Sequence, residues 1–289
     1  PVLGIDPAAN VAEAARARGV PTLARFFGTE TAAELVADGR RADLVVGNNV
    51  LAQVPDLNDF VRGVEILLAD DGLATFEFPH LLRLLEGNQF DTIYHEHFSY
   101  FSLGTALQVF AAHGLTVVDV EELSTHGGSL RLFLRHSARP GPHASPAVER
   151  VLEEERAAGL LDLGRYRRFG EQAAETKRRF MAFLIGVHDE GHQVAAYGAP
   201  GKGNTFLNYC GVRGDLIEYT VDRNPYKHGR YLPGTHIPIE PPDHITETKP
   251  TVIVILPWNL RAEIAAQLAY TRAWGARLVV AIPRLTVLE

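Results

Sequence analysis

Cysteine is almost missing from this chain: Cys210 is the single one among 289 residues. An internal disulfide is therefore excluded, and a cysteine-ligated zinc site within the chain lacks its ligands. The scarcity fits a reducing compartment, and a cytoplasmic protein is expected. Long apolar runs are also lacking. No stretch approaches the ~18 apolar residues of a membrane span, and no signal peptide opens the chain. Positive charge is outweighed, with 28 Lys and Arg against 35 Asp and Glu and a formal net charge of −7. Without a basic block, neither nucleic acid nor a membrane is expected as a partner. Neither an HExxH spacing nor a Walker A loop occurs, so two common metal and phosphate sites are not encoded.

What remains is a globular composition, 46% hydrophobic and 22% charged, with apolar material for one large domain or two ordinary ones. The chain opens on Pro1 and passes straight into VLGID, which reads as a strand. An opening on what looks like a second element reads as a fragment of a longer domain.

The first half alternates in the α/β manner. Val2–Ile5 is a short strand ending in Asp6-Pro7, where Asp6 caps a helix that continues over Val11–Arg18. Ala42–Gly47 predicts a buried strand, Leu57–Leu68 a helix, Asp71-Gly72 a turn and Leu73–Phe78 the next strand. A helix is predicted over Thr105–His113, then strands over Leu115–Leu123 and Ser129–Arg135. Ser137–Ser145 has the Pro, Gly, His and Ser content of a linker. Pro146–Val187 reads as connecting helices with Glu153–Arg156 and Thr176–Arg179 on solvated faces. From Gln193 the α/β rhythm restarts. Val194–Tyr197, Ile217–Val221, Val252–Leu256 and Leu278–Ile282 are strands, with helices over Asn204–Cys210 and Leu260–Tyr270.

The densest concentration of chemistry is Tyr94-His95-Glu96-His97, flanked by Phe90, Phe98, Tyr100 and Phe101. The two histidines admit a shared metal, and the whole run admits a structural cluster. The third reading is proton removal from a weak carbon acid: His titrates near neutrality, Glu orients it and Tyr donates to a developing oxyanion. Asp6 ends an early strand, where an acid bonds ribose hydroxyls or merely caps a helix. The glycine-rich turn that would precede such an acid is not in the chain. Asn48 and Asn49 follow a strand at the sheet edge where α/β folds bind ligands, with Gln53 one turn on; turn formation is their plainer role. His126, Gly127, Gly128 and Ser129 join two strands, and with Arg131 they suggest substrate contact beside a simple hairpin. In Gly198–Asn204 (GAPGKGN), Lys202 and Asn204 suit an anion-binding turn at a helix start; a tight strand–helix turn is the alternative. With Asp222 ending the next strand, a nucleotide-like ligand follows.

Taken together, LLEGNQFDTIYHEHFSYFSL, THGGSLR, AAYGAPGKGNTFLNYCG, VDRNPYKHGRYLPGTHIPI and ILPWNL make the whole chain resemble the sugar C-methyltransferases, which act on nucleotide-linked 4-keto deoxysugars. The resemblance implies an incomplete class I methyltransferase (Rossmann-like) domain over residues 1–136. A linker with helices over 137–190 and a second, smaller Rossmann-like α/β domain over 191–289 would follow. It implies S-adenosylmethionine as cofactor near Asp6, Asn48 and Asn49, and a nucleotide-sugar substrate near His126, Ser129, Arg131, Lys202 and Asn204. His97 is then the base, supported by Tyr94 and Glu96, and no metal takes part; structural zinc belongs to an amino-terminal domain absent from this sequence. A family histidine falls at Gln53, so its role is altered here. The competing functions are a nucleotide-dependent oxidoreductase on the Gly198–Asn204 turn, an O-methyltransferase, and a non-catalytic binding fragment. The sugar, the methylated carbon, the base and the oligomeric state are not encoded legibly.

Overall fold

A computed structural model describes residues 1–138 and 144–288, so the middle of the expected 137–145 linker lies outside the described residues. The chain divides into two compact units, one of Pro1–Leu82 with His97–Leu160, the other of Arg83–Glu96 with Leu161–Glu289. These bounds differ from the expected divisions after residues 136 and 190. Of the described residues in the expected 137–190 stretch, those up to Leu160 fall in the first unit and those from Leu161 in the second.

The first unit begins with β1 (Gly4–Ile5), α1 (Ala9–Ala17), β2 (Thr22–Leu23), α2 (Thr29–Ala37) and β3 (Ala42–Asn48). It continues through α3 (Leu57–Leu67) and β4 (Leu68–Pro79). The chain leaves it along α4 (Leu81–Glu86) and returns for α5 (Leu103–Ala111), β5 (Leu115–Leu123), β6 (Ser129–His136) and α6 (Pro146–Ala157). β1 and β2 form a parallel pair of their own; β3, β4, β6 and β5 form a second sheet in that order. β3 runs parallel to β4, and β6 is antiparallel to both neighbours. α3 starts where the Asp56 side chain accepts the Asp59 amide, and it buries Phe60, Val61, Val64 and Leu67 at helical spacing. Phe60 meets Phe27 and Phe76 edge-on, and Phe76 stacks on Phe110, giving the core a continuous aromatic line.

Three expectations are corrected here. Asp6 does not supply the side-chain cap of α1; it accepts the Ala8 amide at 2.8 Å, a local turn before the helix. No break separates α3 from the next strand at Asp71-Gly72. β4 runs from Leu68, and the ladder absorbs the extra residues in a register shift, Ala42 pairing with Leu68 but Leu44 with Leu73. β3 is an edge strand instead of a buried one, with Leu44 57% and Val46 60% exposed.

The second unit holds α7 (Leu163–Asp189), β7 (Val194–Tyr197), α8 (Gly201–Cys210), β8 (Tyr219–Val221), β9 (Arg230–Tyr231) and β10 (Pro238–Glu240). α9 (His244–Thr248), β11 (Val252–Ile255), α10 (Arg261–Gln267), β12 (Arg277–Val280) and β13 (Thr286–Leu288) complete it. Its sheet has the order β13-β12-β11-β7-β8-β10-β9, parallel except for the two edge strands. β7 and β11 are buried at every residue, as inner strands of a parallel sheet must be. α8 carries the chain from β7 to β8 on one side, while β11 lies on the other. The strand order therefore reverses between β7 and β11, and a ligand crevice is expected at their carboxyl ends. The segment 83–96 belongs to this unit. Phe90 packs in its core against Phe206 and Tyr209, and the Asn88 amide donates to Thr176 Oγ1 at 2.8 Å. Among the described residues no helix is long and apolar enough to cross a membrane.

Candidate active site

At the carboxyl edge of the first unit's strands, the Asn49 amide nitrogen donates to Glu77 O at 2.8 Å, which holds the turn after β3 against β4. Asn49 and His126 both adopt positive φ, 54° each, a conformation non-glycine residues avoid unless their surroundings impose it. Their side chains meet, Asn49 Nδ2 lying 3.4 Å from His126 Nε2. Asn48 is exposed, and Gln53 is exposed at the end of a 3-10 turn, Leu51–Gln53. The Phe98 and Ser99 amides both donate to Ala52 O, at 2.8 and 3.2 Å, which fastens the segment after His97 to that same turn. The His97 ring is partly buried, edge-on to Tyr100.

Two of the expected substrate residues are committed elsewhere. Ser129 is buried and donates to Thr125 O. Arg131 donates to Glu77 Oε2 at 2.8 Å and to Glu121 Oε2 at 3.2 Å, and these carboxylates hold its guanidinium in the sheet. Glu77, buried in β4, also accepts from Thr125 Oγ1, so it braces the turn that presents His126. His126 is the member of that trio left on the surface.

In the second unit the reversal point is lined by the turn after β7 and the residues after β11. Lys202 Nζ donates to Asn259 Oδ1 at 3.0 Å and lies 4.4 Å from the centre of the Trp258 ring. Burial pulls the Lys202 pKa down, and the nearby Asp91 carboxyl partly offsets this. Trp258 Nε1 donates to Asp91 Oδ2 at 2.7 Å, while Asp91 Oδ1 has no partner. Burial is the main cause that pushes the Asp91 carboxyl up to about 7, against the lowering effect of Trp258 and Lys202. Tyr94 stands over the turn: a Cβ placed on Gly201 would meet Tyr94 Cζ at 3.9 Å. Burial first, then Glu96 and Asp91, raise the Tyr94 pKa, so its phenol keeps its proton and acts as a donor.

The other glycines of GAPGKG are explained by packing. Gly198 has φ 91° and a Cβ there would strike Pro257; one on Gly203 would lie 2.8 Å from Leu256 Cβ. α8 begins at Gly201, three residues before the expected start, so Lys202 is in its first turn, where amide donors and the helix dipole favour an anion. Asn204 is half-buried within α8, its Oδ1 3.4 Å from Asn208 Nδ2. Asp222 is heavily engaged. It accepts the Ala199 and Asn224 amides, each at 2.8 Å, and Lys227 Nζ at 3.0 Å. Burial raises its pKa, but these donors outweigh burial and hold the carboxyl below its ordinary value. These three donors fix the carboxylate at the end of β8 against the turn after β7, and only Oδ1, with a single donor, keeps room for a further one.

The Tyr94–His97 run is divided by the fold: Tyr94, His95 and Glu96 fall in the second unit and His97 in the first. Reading the residues alone missed Asp91, Trp258 and Asn259. The ILPWN run signalled the last two, a strand end followed by an aromatic and an amide. Nothing local marks Asp91, whose burial is a tertiary effect.

The residues present fit part of an S-adenosylmethionine site. Asp6 directly follows β1 and is half-exposed, with Oδ1 occupied by the Ala8 amide and Oδ2 open to hydroxyl donors such as those of a ribose. The Asn48-Asn49 turn adds amide groups at the edge of β3. Among the described residues no three His, Cys, Asp or Glu side chains gather as metal ligands do.

A model of the methyltransferase domain matches residues 1–120, and a model of the C-methyltransferase C-terminal domain matches residues 124–283. C-methyltransferase NovU of Streptomyces niveus is 39% identical over 288 residues, which are 100% of this chain and 68% of that protein. Likeness to solved structures is slighter. The 1,6-didemethyltoxoflavin-N1-methyltransferase of Burkholderia thailandensis is 18% identical with a TM-score of 0.34, covering 47% of this chain and 61% of its own. Magnesium protoporphyrin IX methyltransferase of Synechocystis PCC 6803 gives 14% and 0.34, over 47% and 59%. With both models placed in order along the chain, this protein belongs to the C-methyltransferase family and is an S-adenosylmethionine-dependent methyltransferase.

Proposed function

We propose that the protein methylates the carbon next to the ketone of a nucleotide-linked 4-keto deoxysugar, through an enolate. The observation that supports this most is the partly buried loop that sets a neutral Tyr94 phenol over the Lys202 turn and reaches a histidine three residues later. A ketone acidifies the adjacent C–H bond. His97 takes that proton, and the electron pair of the broken bond passes into the enolate, whose oxygen carries the charge. Tyr94 is the donor for that oxygen and Glu96 the acid that orients the base. Proton transfer of this kind contributes roughly 10²–10⁴-fold, and a donor aimed at the oxyanion contributes on a similar scale.

S-adenosylmethionine, when bound, supplies an electrophilic methyl group. Asp6, Asn48 and Asn49 are the residues proposed to hold it, with His126 beside Asn49 toward the substrate. Lys202 and the first turn of α8 are proposed to hold the diphosphate, while Trp258 and Asn259 keep the ammonium in place. Asn204 lies one turn along the same helix. Ser129 and Arg131 brace the sheet and are not proposed as ligands.

The test uses methyl-¹³C-labelled S-adenosylmethionine and a panel of thymidine- and uridine-diphosphate 4-keto-6-deoxyhexoses. The expected product carries the label on carbon, and Lys202→Met weakens nucleotide-sugar affinity about tenfold. Label on oxygen, or no transfer to any member of the panel, would overturn the reading.

A further inference from the structure

We infer that Glu155 and His80 are positioning residues for the loop that delivers His97, an inference that rests on the function proposed above. Glu155 lies on α6, 5% exposed, in a helix whose other acids face solvent. Its Oε1 accepts from His80 Nε2 at 2.7 Å and from the Leu103 amide at 2.5 Å, and its Oε2 accepts from the Gly104 amide at 3.0 Å. All these residues belong to the first unit.

The three donors come from the two ends of one excursion. After β4 the chain departs at His80-Leu81 and returns at Phe101. The ends are tied there by a parallel bridge between His80 and Phe101 and by the Leu81 amide donating to Phe101 O at 2.9 Å. His97 lies four residues before that return. Glu155 thus binds the departing strand through an imidazole and the returning strand through two amides of the first turn of α5. An acid at a helix start is favoured by the dipole and by the otherwise unpaired amides. Yet α5 already has a side-chain cap, Ser102 accepting the Thr105 amide. The carboxylate is therefore not required simply to start the helix.

The imidazole sharpens the point. His80 is 1% exposed, and its Nδ1 has no partner. Glu155 is the acceptor that fixes this ring, so Nε2 carries the proton and the ring serves this contact. A buried carboxylate with three donors in a dry setting tolerates little displacement, and its strands transmit that constraint. Misplacement of a reacting group by about 1 Å costs roughly 10²-fold in rate.

The experiment follows deuterium wash-in from D2O at the carbon beside the ketone of the same nucleotide sugars, without methyl donor, alongside the ring resonances of His97. His97→Ala assigns those resonances. Glu155→Gln keeps the shape but turns one acceptor into a donor. Wash-in is expected to slow about 10²-fold, with KM changed less than about threefold, and the His97 resonances are expected to move. His80→Gln, which keeps a donor, is expected to retain most of the rate, whereas His80→Leu falls with Glu155→Gln. If Glu155→Gln does not fold, the two His80 variants carry the comparison. Wild-type wash-in with unaltered rates and unmoved His97 signals in folded variants would overturn the inference. An absence of wash-in in the wild type would strike the proposed function instead, and displacement of the His97 signals would still decide the positioning role.

Discussion

Glu155 in the first unit and Asp91 in the second are both buried carboxyls that bear on the candidate site, and they are treated in opposite ways. Glu155 in the first has both oxygens engaged by three donors. Asp91 in the second receives Trp258 Nε1 on one oxygen and nothing on the other, and burial pushes it up to about 7. The contrast shows that burial alone does not define a carboxyl's role; the number of donors around it does. A saturated acid acts as a brace. A half-satisfied one holds its proton up to neutrality and takes part in the charge balance around Lys202.

The strongest way to break this comparison is Glu155→Leu. It strands an imidazole and two amides in the core, and each buried donor left without an acceptor costs about 1–3 kcal/mol. Urea unfolding checks it, and a loss below about 1 kcal/mol would show that the saturated acid is not a brace.

Asp91→Asn probes the other side. The Asp91 pKa is raised in the folded protein from 3.8 to about 7. Folding therefore favours its protonated form, and this group's contribution to stability falls as pH rises from about 4 to about 7. Asn keeps the acceptor for Trp258 without the charge. The variant is expected to be more stable than wild type at pH 8, by up to the order of 4 kcal/mol, with the difference gone near pH 4. Equal stability at both pH values would remove the distinction between the two acids.

A smaller effect is expected from Trp258→Phe. It removes the donor to Asp91 and costs about 1–3 kcal/mol, measured by denaturant unfolding at pH 8. The Asp91 carboxyl should then titrate higher still.

Much of this fold was legible. Apolar runs bounded by turns placed β5 at Leu115–Leu123 and β7 at Val194–Tyr197 as expected. Strands of two or three residues at the sheet edges, such as β9 and β13, are not legible because pairing with a neighbour, not periodicity, makes them strands. α2 was passed over although its Thr31, Ala32 and Leu35 are buried. The reading of Glu153–Arg156 as a solvated face fails at Glu155. There the spacing Val148, Val151, Glu155 already put an acid on the apolar stripe. The reading of Thr176–Arg179 fails likewise at Thr176, buried against Asn88. At the site, residue types pointed to Tyr94, His97, Asn49 and Lys202. They could not show that the fold divides the run between Glu96 and His97, because that division depends on where Phe90 and Asp91 are buried.

The central claim is that His97 removes a proton from carbon. Its most direct test is deuterium wash-in at the carbon beside the ketone of a thymidine- or uridine-diphosphate 4-keto-6-deoxyhexose, comparing wild type with His97→Ala. The account predicts wash-in by the wild type and a loss of roughly 10²–10⁴-fold in the variant. Equal wash-in by the two proteins would contradict it.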